Sequence, residues 1–172
     1  MGRLWPLLVA LLLLTGGCGY HLRGSGGPGL GAELPRLVLG GAARDGGFAQ
    51  ALRRALRAQG VTVLDAAAPD VPELRLVAVD HSREVVSVDR QVRAREYALT
   101  STVRFLLVRP GRPPLGPARV SVRRDLVVDP TRVLGSEQEA QRLFREMRAE
   151  LAQLVVLRLR LLLSQSRAKL SR

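Results

Sequence analysis

Tyr97-Ala98-Leu99-Thr100-Ser101-Thr102-Val103-Arg104-Phe105-Leu106-Leu107 alternates with a period of two, so that Tyr97, Leu99, Ser101, Val103, Phe105 and Leu107 share one face. Successive strand residues point to opposite sides of a sheet, so this stretch reads as a strand with one face turned to a core. Downstream, Arg109-Pro110-Gly111-Arg112-Pro113-Pro114 is a turn. Beyond it Ala118, Val120 and Val122 alternate with Arg119, Ser121 and Arg123 in a strand that reaches Val128. Upstream, Asp89-Arg90-Gln91 is a reversal without a glycine, and Leu74, Leu76 and Ala78 alternate with Arg75, Val77 and Val79 in a further strand, which Val85 to Val88 continues. Strands joined by short reversals run antiparallel.

Helices flank this region. Phe48 to Gln59 places Phe48, Leu52, Ala55 and Leu56 on one face and Arg53, Arg54 and Arg57 on the other, a solvated one, with Gly60 at the C-cap. A short strand, Leu37-Val38-Leu39, precedes it and ends at Gly40-Gly41; Val61-Thr62-Val63-Leu64 resumes as a strand after it. Past the break at Asp129-Pro130, Ser136-Glu137-Gln138-Glu139 has the form of a capping box. Ala140, Leu143, Phe144, Met147, Leu151, Leu154, Val155 and Leu162 then keep helical spacing to Leu163. The element order gives an α+β fold with helices on one face of an antiparallel sheet.

The N-terminus reads as an export signal. Arg3 supplies a positive charge, Leu4 to Leu14 is almost unbroken apolar sequence, and Thr15-Gly16-Gly17 are small residues before Cys18, the one cysteine of the chain. That pattern is a secretory signal, and the run is shorter than the roughly 20 residues a spanning helix needs. A lone thiol in an exported chain requires a purpose other than an internal disulfide. Acylation of Cys18 supplies one, and each buried methylene contributes about 0.8 kcal/mol to membrane attachment. The chain divides into a signal peptide over 1–17, a lipidated, glycine-rich flexible tether over 18–33, a folded domain over 34–163 and a polar tail over 164–172.

The net charge is +12, and Lys169 is the sole lysine, so nearly all positive charge is arginine. Guanidinium forks suit phosphates and carboxylates. Outside the cytoplasm the matching partners are anionic lipid, lipopolysaccharide or an acidic protein surface, not nucleic acid. An RNA-binding sheet would also display aromatics for base stacking, and here the only strand aromatics, Tyr97 and Phe105, share the apolar face. Arg90, Arg93 and Arg95 cluster around the reversal and form a candidate phosphate-binding tip. His21 and His81 are the only histidines and neither has a partner in sequence, so no catalytic residue is assigned. No metal-ligand spacing occurs, and no cofactor is expected beyond the covalent lipid on Cys18.

Cys18-Gly19-Tyr20-His21-Leu22-Arg23 resembles the opening of the mature lipopolysaccharide-assembly lipoproteins of the LptE family. Leu52 to Leu64, Val71-Pro72-Glu73-Leu74-Arg75-Leu76, Glu96-Tyr97, Pro110-Gly111-Arg112 and Arg145-Glu146-Met147 are similar to family stretches in the same order and spacing. The resemblance implies a four-stranded, mainly antiparallel sheet with two helices packed on one face. It implies a lipoprotein of the outer membrane, anchored on the periplasmic side, that plugs the lumen of an LptD barrel, helps it assemble and contributes to lipopolysaccharide delivery. It also places Arg90 at a basic hairpin-tip position facing the lipid, whereas the family's second basic position, at the start of the last helix, is Ser136 here, with Arg132 nearby but displaced. The alternative is a lipid-anchored adaptor of another envelope complex that binds no lipopolysaccharide.

Overall fold

The computed structural model describes residues 29–41, 46–129 and 133–170. Its elements are α1 (Leu30–Glu33), β1 (Arg36–Gly41), α2 (Gly47–Arg57), β2 (Thr62–Leu64), β3 (Glu73–Val88), β4 (Ala94–Arg109), β5 (Arg112–Val127) and α3 (Val133–Leu170). The signal peptide, Cys18 and the tether as far as Pro28 lie outside the described residues.

The sheet has five strands in the order β2-β1-β3-β4-β5, not four. β1 runs parallel to both neighbours, and β3, β4 and β5 are antiparallel, so the sheet is mixed. The resemblance's count of four is one short: the segment read as a strand at Val61–Leu64 is β2, whose Thr62, Val63 and Leu64 pair with Arg36, Leu37 and Val38 after α2 has carried the chain back. A parallel neighbour needs such a crossover, and a three-residue edge strand is held by it.

The third helix, α1, was unanticipated and falls in the stretch read as tether. Leu30 and Leu34 are buried in the core, and Gly31 N–H donates to the Gln59 carbonyl at 2.9 Å. A Cβ on Gly31 would lie 2.3 Å from the Gly60 carbonyl oxygen. The glycine here permits backbone contact rather than looseness.

β4 keeps its alternation throughout, with Leu99, Val103, Phe105 and Leu107 fully buried. β3 does not. Leu74 and Leu76 oppose Leu107 and Phe105, but a bulge follows, and Val79 rather than Ala78 then opposes Val103. One extra residue exchanges the faces of everything after it. His81, Arg83 and Val85 are thereby brought to the helix side, opposite Ser101, Leu99 and Tyr97.

Both long helices cover that face. α3 lies against β4, β5 and α2, with Met147, Leu151, Val155 and Leu159 inaccessible to solvent. Glu150 pairs with Arg124 of β5, and Arg160 donates to Gln59 after α2. α3 begins at Val133, so Ser136 stands inside its first turn instead of capping it. It also continues through the stretch read as a polar tail. No glycine or proline follows Leu163 to end it, and Ser166 and Arg167 are tied to Arg109 and Glu33. On the opposite face Arg75, Asp80, Arg104, Arg119 and Arg123 stand exposed.

Candidate functional site

The β3–β4 reversal is a five-residue turn built on Asp89. Its carboxylate accepts from the backbone N–H groups of Gln91 and Arg93, each at 2.9 Å, and from Arg93 Nε at 2.9 Å. The backbone closes the turn through Asp89 N–H to the Arg93 carbonyl and Val92 N–H to the Asp89 carbonyl. Val92 takes φ +60°, a left-handed conformation unusual for a β-branched residue, and its side chain is exposed. The reversal therefore forms without glycine because aspartate supplies the acceptors. Donation from the Arg93 N–H, above all, holds the Asp89 carboxyl below its ordinary value.

This geometry sorts the three tip arginines. Arg93 is turned back onto Asp89, with a further contact to Gln91 at 3.4 Å, so its charge is partly spent inside the turn. Arg90 and Arg95 are exposed. A spacing argument groups all three; it carries no signal that Asp89 claims the middle one.

Arg83 was missed. Its guanidinium sits 3.9 Å from the Tyr97 ring centroid and pairs with Glu137 of α3 at 3.2 Å, which fixes the first turns of α3 against the hairpin stem. Only the bulge in β3 puts Arg83 on the helix side, and bulges leave little trace in composition. Ser136 precedes Glu137 in that turn, and Arg132 lies outside the described residues.

His81 lies in the middle of β3. Its Nδ1 and Ser101 Oγ are hydrogen-bonded at 2.7 Å, and its ring meets the Phe144 ring edge-on at 5.6 Å between centroids. Burial, then the nearby Arg148, lowers the imidazole from its ordinary 6.5. The ring stays partly open to solvent and bridges sheet and helix. Among the described residues no three His, Cys, Asp or Glu side chains are grouped to hold a metal, and no helix is long and apolar enough to cross a membrane.

At the other end of β4, Arg109 Nη1 donates to Ser166 Oγ at 3.2 Å and Nη2 to the Pro113 carbonyl at 3.1 Å, while its Nε is buried with no hydrogen-bond partner. Burial and the adjacent Arg112 lower its guanidinium from the ordinary arginine value.

Residues 40–159 match the family model described as LptE, lipopolysaccharide-assembly. The chain is 36% identical over 156 residues to "LPS-assembly lipoprotein LptE" of Yersinia pestis (strain Pestoides F), covering 90% of this chain and 74% of that protein. The protein of the same name from Yersinia pseudotuberculosis serotype O:1b gives the same figures. Among solved structures, rare lipoprotein B from Shewanella oneidensis superposes with a TM-score of 0.66 at 28% identity, over 80% of this chain and 99% of that one. An uncharacterized lipoprotein B from Nitrosomonas europaea shares the fold, with a TM-score of 0.62 at 18% identity over 72% of this chain and 80% of the other.

Proposed function

The chain belongs to the LptE family of lipopolysaccharide-assembly proteins, and from that membership we propose that it is a lipoprotein of the outer membrane, anchored on the periplasmic side by acylated Cys18. It occupies the lumen of an LptD-like barrel and helps that barrel assemble and place lipopolysaccharide in the outer leaflet. At the hairpin tip Arg90 and Arg95 contact the phosphates of lipid A. The observation that carries this reading is the division of the tip: Asp89 ties the turn and absorbs Arg93, while Arg90 and Arg95 beside it stay exposed. The uncovered, charged face of the sheet supports the plug role, because the interior of such a barrel is polar.

Isolation of this protein from outer membranes in mild detergent tests the partner. An LptD-like barrel is expected to accompany it; a different envelope complex without the barrel would establish the adaptor role instead. The lipid contact is tested with Arg90→Glu/Arg95→Glu. Capture of labelled lipopolysaccharide should fall roughly tenfold or more, because reversal adds repulsion to the lost pairs. Capture by the parent should weaken with salt, whose screening length is about 10 Å at 0.1 M. Equal and salt-insensitive capture by parent and variant, with the same melting curve, would leave the tip as a solvated turn.

A further inference from the structure

The end of the molecule opposite the hairpin tip holds a cavity of about 530 Å³ between the β4–β5 turn and the last turn of α3, lined among others by Arg109, Arg112, Pro113, Leu115, Ser166 and Lys169. We propose that this cavity binds the headgroup of an anionic phospholipid, its phosphate between Arg112 and Lys169 and its glycerol and first acyl carbons against Pro113 and Leu115.

Three observations support this. First, the lining carries three cations and no carboxylate among the described residues; the neighbouring Arg167, by contrast, is neutralised by Glu33. Arg109 is held in place by Ser166 and the Pro113 carbonyl and so stands as a fixed positive charge behind the two exposed ones. Second, the cavity falls within the roughly 300–1,000 Å³ of small-molecule sites. Most of its lining is carbon, which a free phosphate would leave unfilled and a lipid would cover. Third, α1 lies at this end, where Glu33 and Leu34 border the adjoining cleft with Arg109 and Arg112. Cys18 precedes Gly29 by eleven residues, which span at most about 40 Å. If Cys18 carries the anchor, as proposed above, this end stays within reach of the leaflet that holds it; the chemistry of the cavity does not depend on that.

The test uses the mature full chain in nonionic detergent, with dihexanoylphosphatidylglycerol as probe and calorimetry as readout. Phosphatidylglycerol should bind, and dihexanoylphosphatidylcholine and inorganic phosphate should bind at least tenfold more weakly. Arg112→Gln/Lys169→Gln should weaken binding roughly tenfold or more, and Arg90→Glu/Arg95→Glu should leave it unchanged. Lys169→Gln alone, in an exposed last turn, serves should the double variant fold poorly. Equal binding of the zwitterionic lipid, equal binding of inorganic phosphate, or variants at Arg112 and Lys169 that bind like the parent would overturn the proposal. None of these results bears on the barrel partnership or on the hairpin tip.

Discussion

Asp89 decides more than its size implies. Because its carboxyl is held below the ordinary 3.8, the turn is stabilised fully above that pH, and this contribution is lost as the pH falls through the lower folded value. Protection of the Gln91 and Arg93 amides, taken relative to their intrinsic exchange rate at each pH, should therefore be high at neutral pH and fall as the pH drops below about 4. Asp89→Ala should show the low protection at every pH and reduce lipopolysaccharide capture, while the melting temperature of the domain stays nearly unchanged. Unaltered exchange in Asp89→Ala would mean that the strands alone hold the turn. The candidate tip was legible in the sequence as a basic cluster beside a reversal. The pairing of Asp89 with Arg93 was not, because Val92 must adopt a left-handed φ for the two to meet. Charge shows in a sequence; the conformation that neutralises it does not.

Among the elements, α3 is the most secure reading and α1 the least. A long helix with an apolar stripe declares itself by its period, and Leu151 lies mid-stripe with no solvent exposure. Leu151→Ala should destabilise the domain by about 2–5 kcal/mol and lower its thermal melting midpoint. Leu151→Asp should abolish the cooperative transition, since it buries an unpaired charge. A midpoint within a degree of the parent for both would show that the stripe is not core. α1 left no period to read, being one turn set among glycines. Its test is Gly31→Val, which must displace the Gly60 carbonyl and should cost on the order of 1–3 kcal/mol in a melting experiment. A neutral outcome would return residues 30–33 to the status of a leash. The same limit explains β3. Its alternation was visible on both sides of Val77, but the bulge that joins the two halves exchanges their faces, and period counting across it assigns Ala78 to the wrong one. The end of α3 was misplaced for a related reason: polar residues after Leu163 continue the helix because Arg109 and Glu33 hold them.

At the scale of the molecule, the family and the helix-on-sheet arrangement were readable, and so was each strand as a segment; the parallel pairing of β1 with β2 and β3 was not, since it depends on long-range contacts of three or four residues. The anchoring reading is tested on the whole chain: Cys18→Ala should accumulate as unprocessed precursor, and the parent should give an acylated Cys18 as its first residue by mass spectrometry. A mature, unacylated N-terminus elsewhere would remove the anchor and with it the placement of the α1 end near a leaflet. Long strands set one further property. β3 and β4 have 16 residues each, and at 3.2–3.4 Å per residue the hairpin measures about 50 Å, against about 30 Å for the hydrocarbon of a bilayer. The hairpin is thus a ruler longer than the membrane is thick. On the placement proposed above, a hairpin standing along the membrane normal with its base at one headgroup layer would reach the other, and a protein held from the inner side would present Arg90 and Arg95 among the phosphates of the outer. Deleting two residues from each strand would preserve which side chains face the helices and withdraw the tip by about 7 Å.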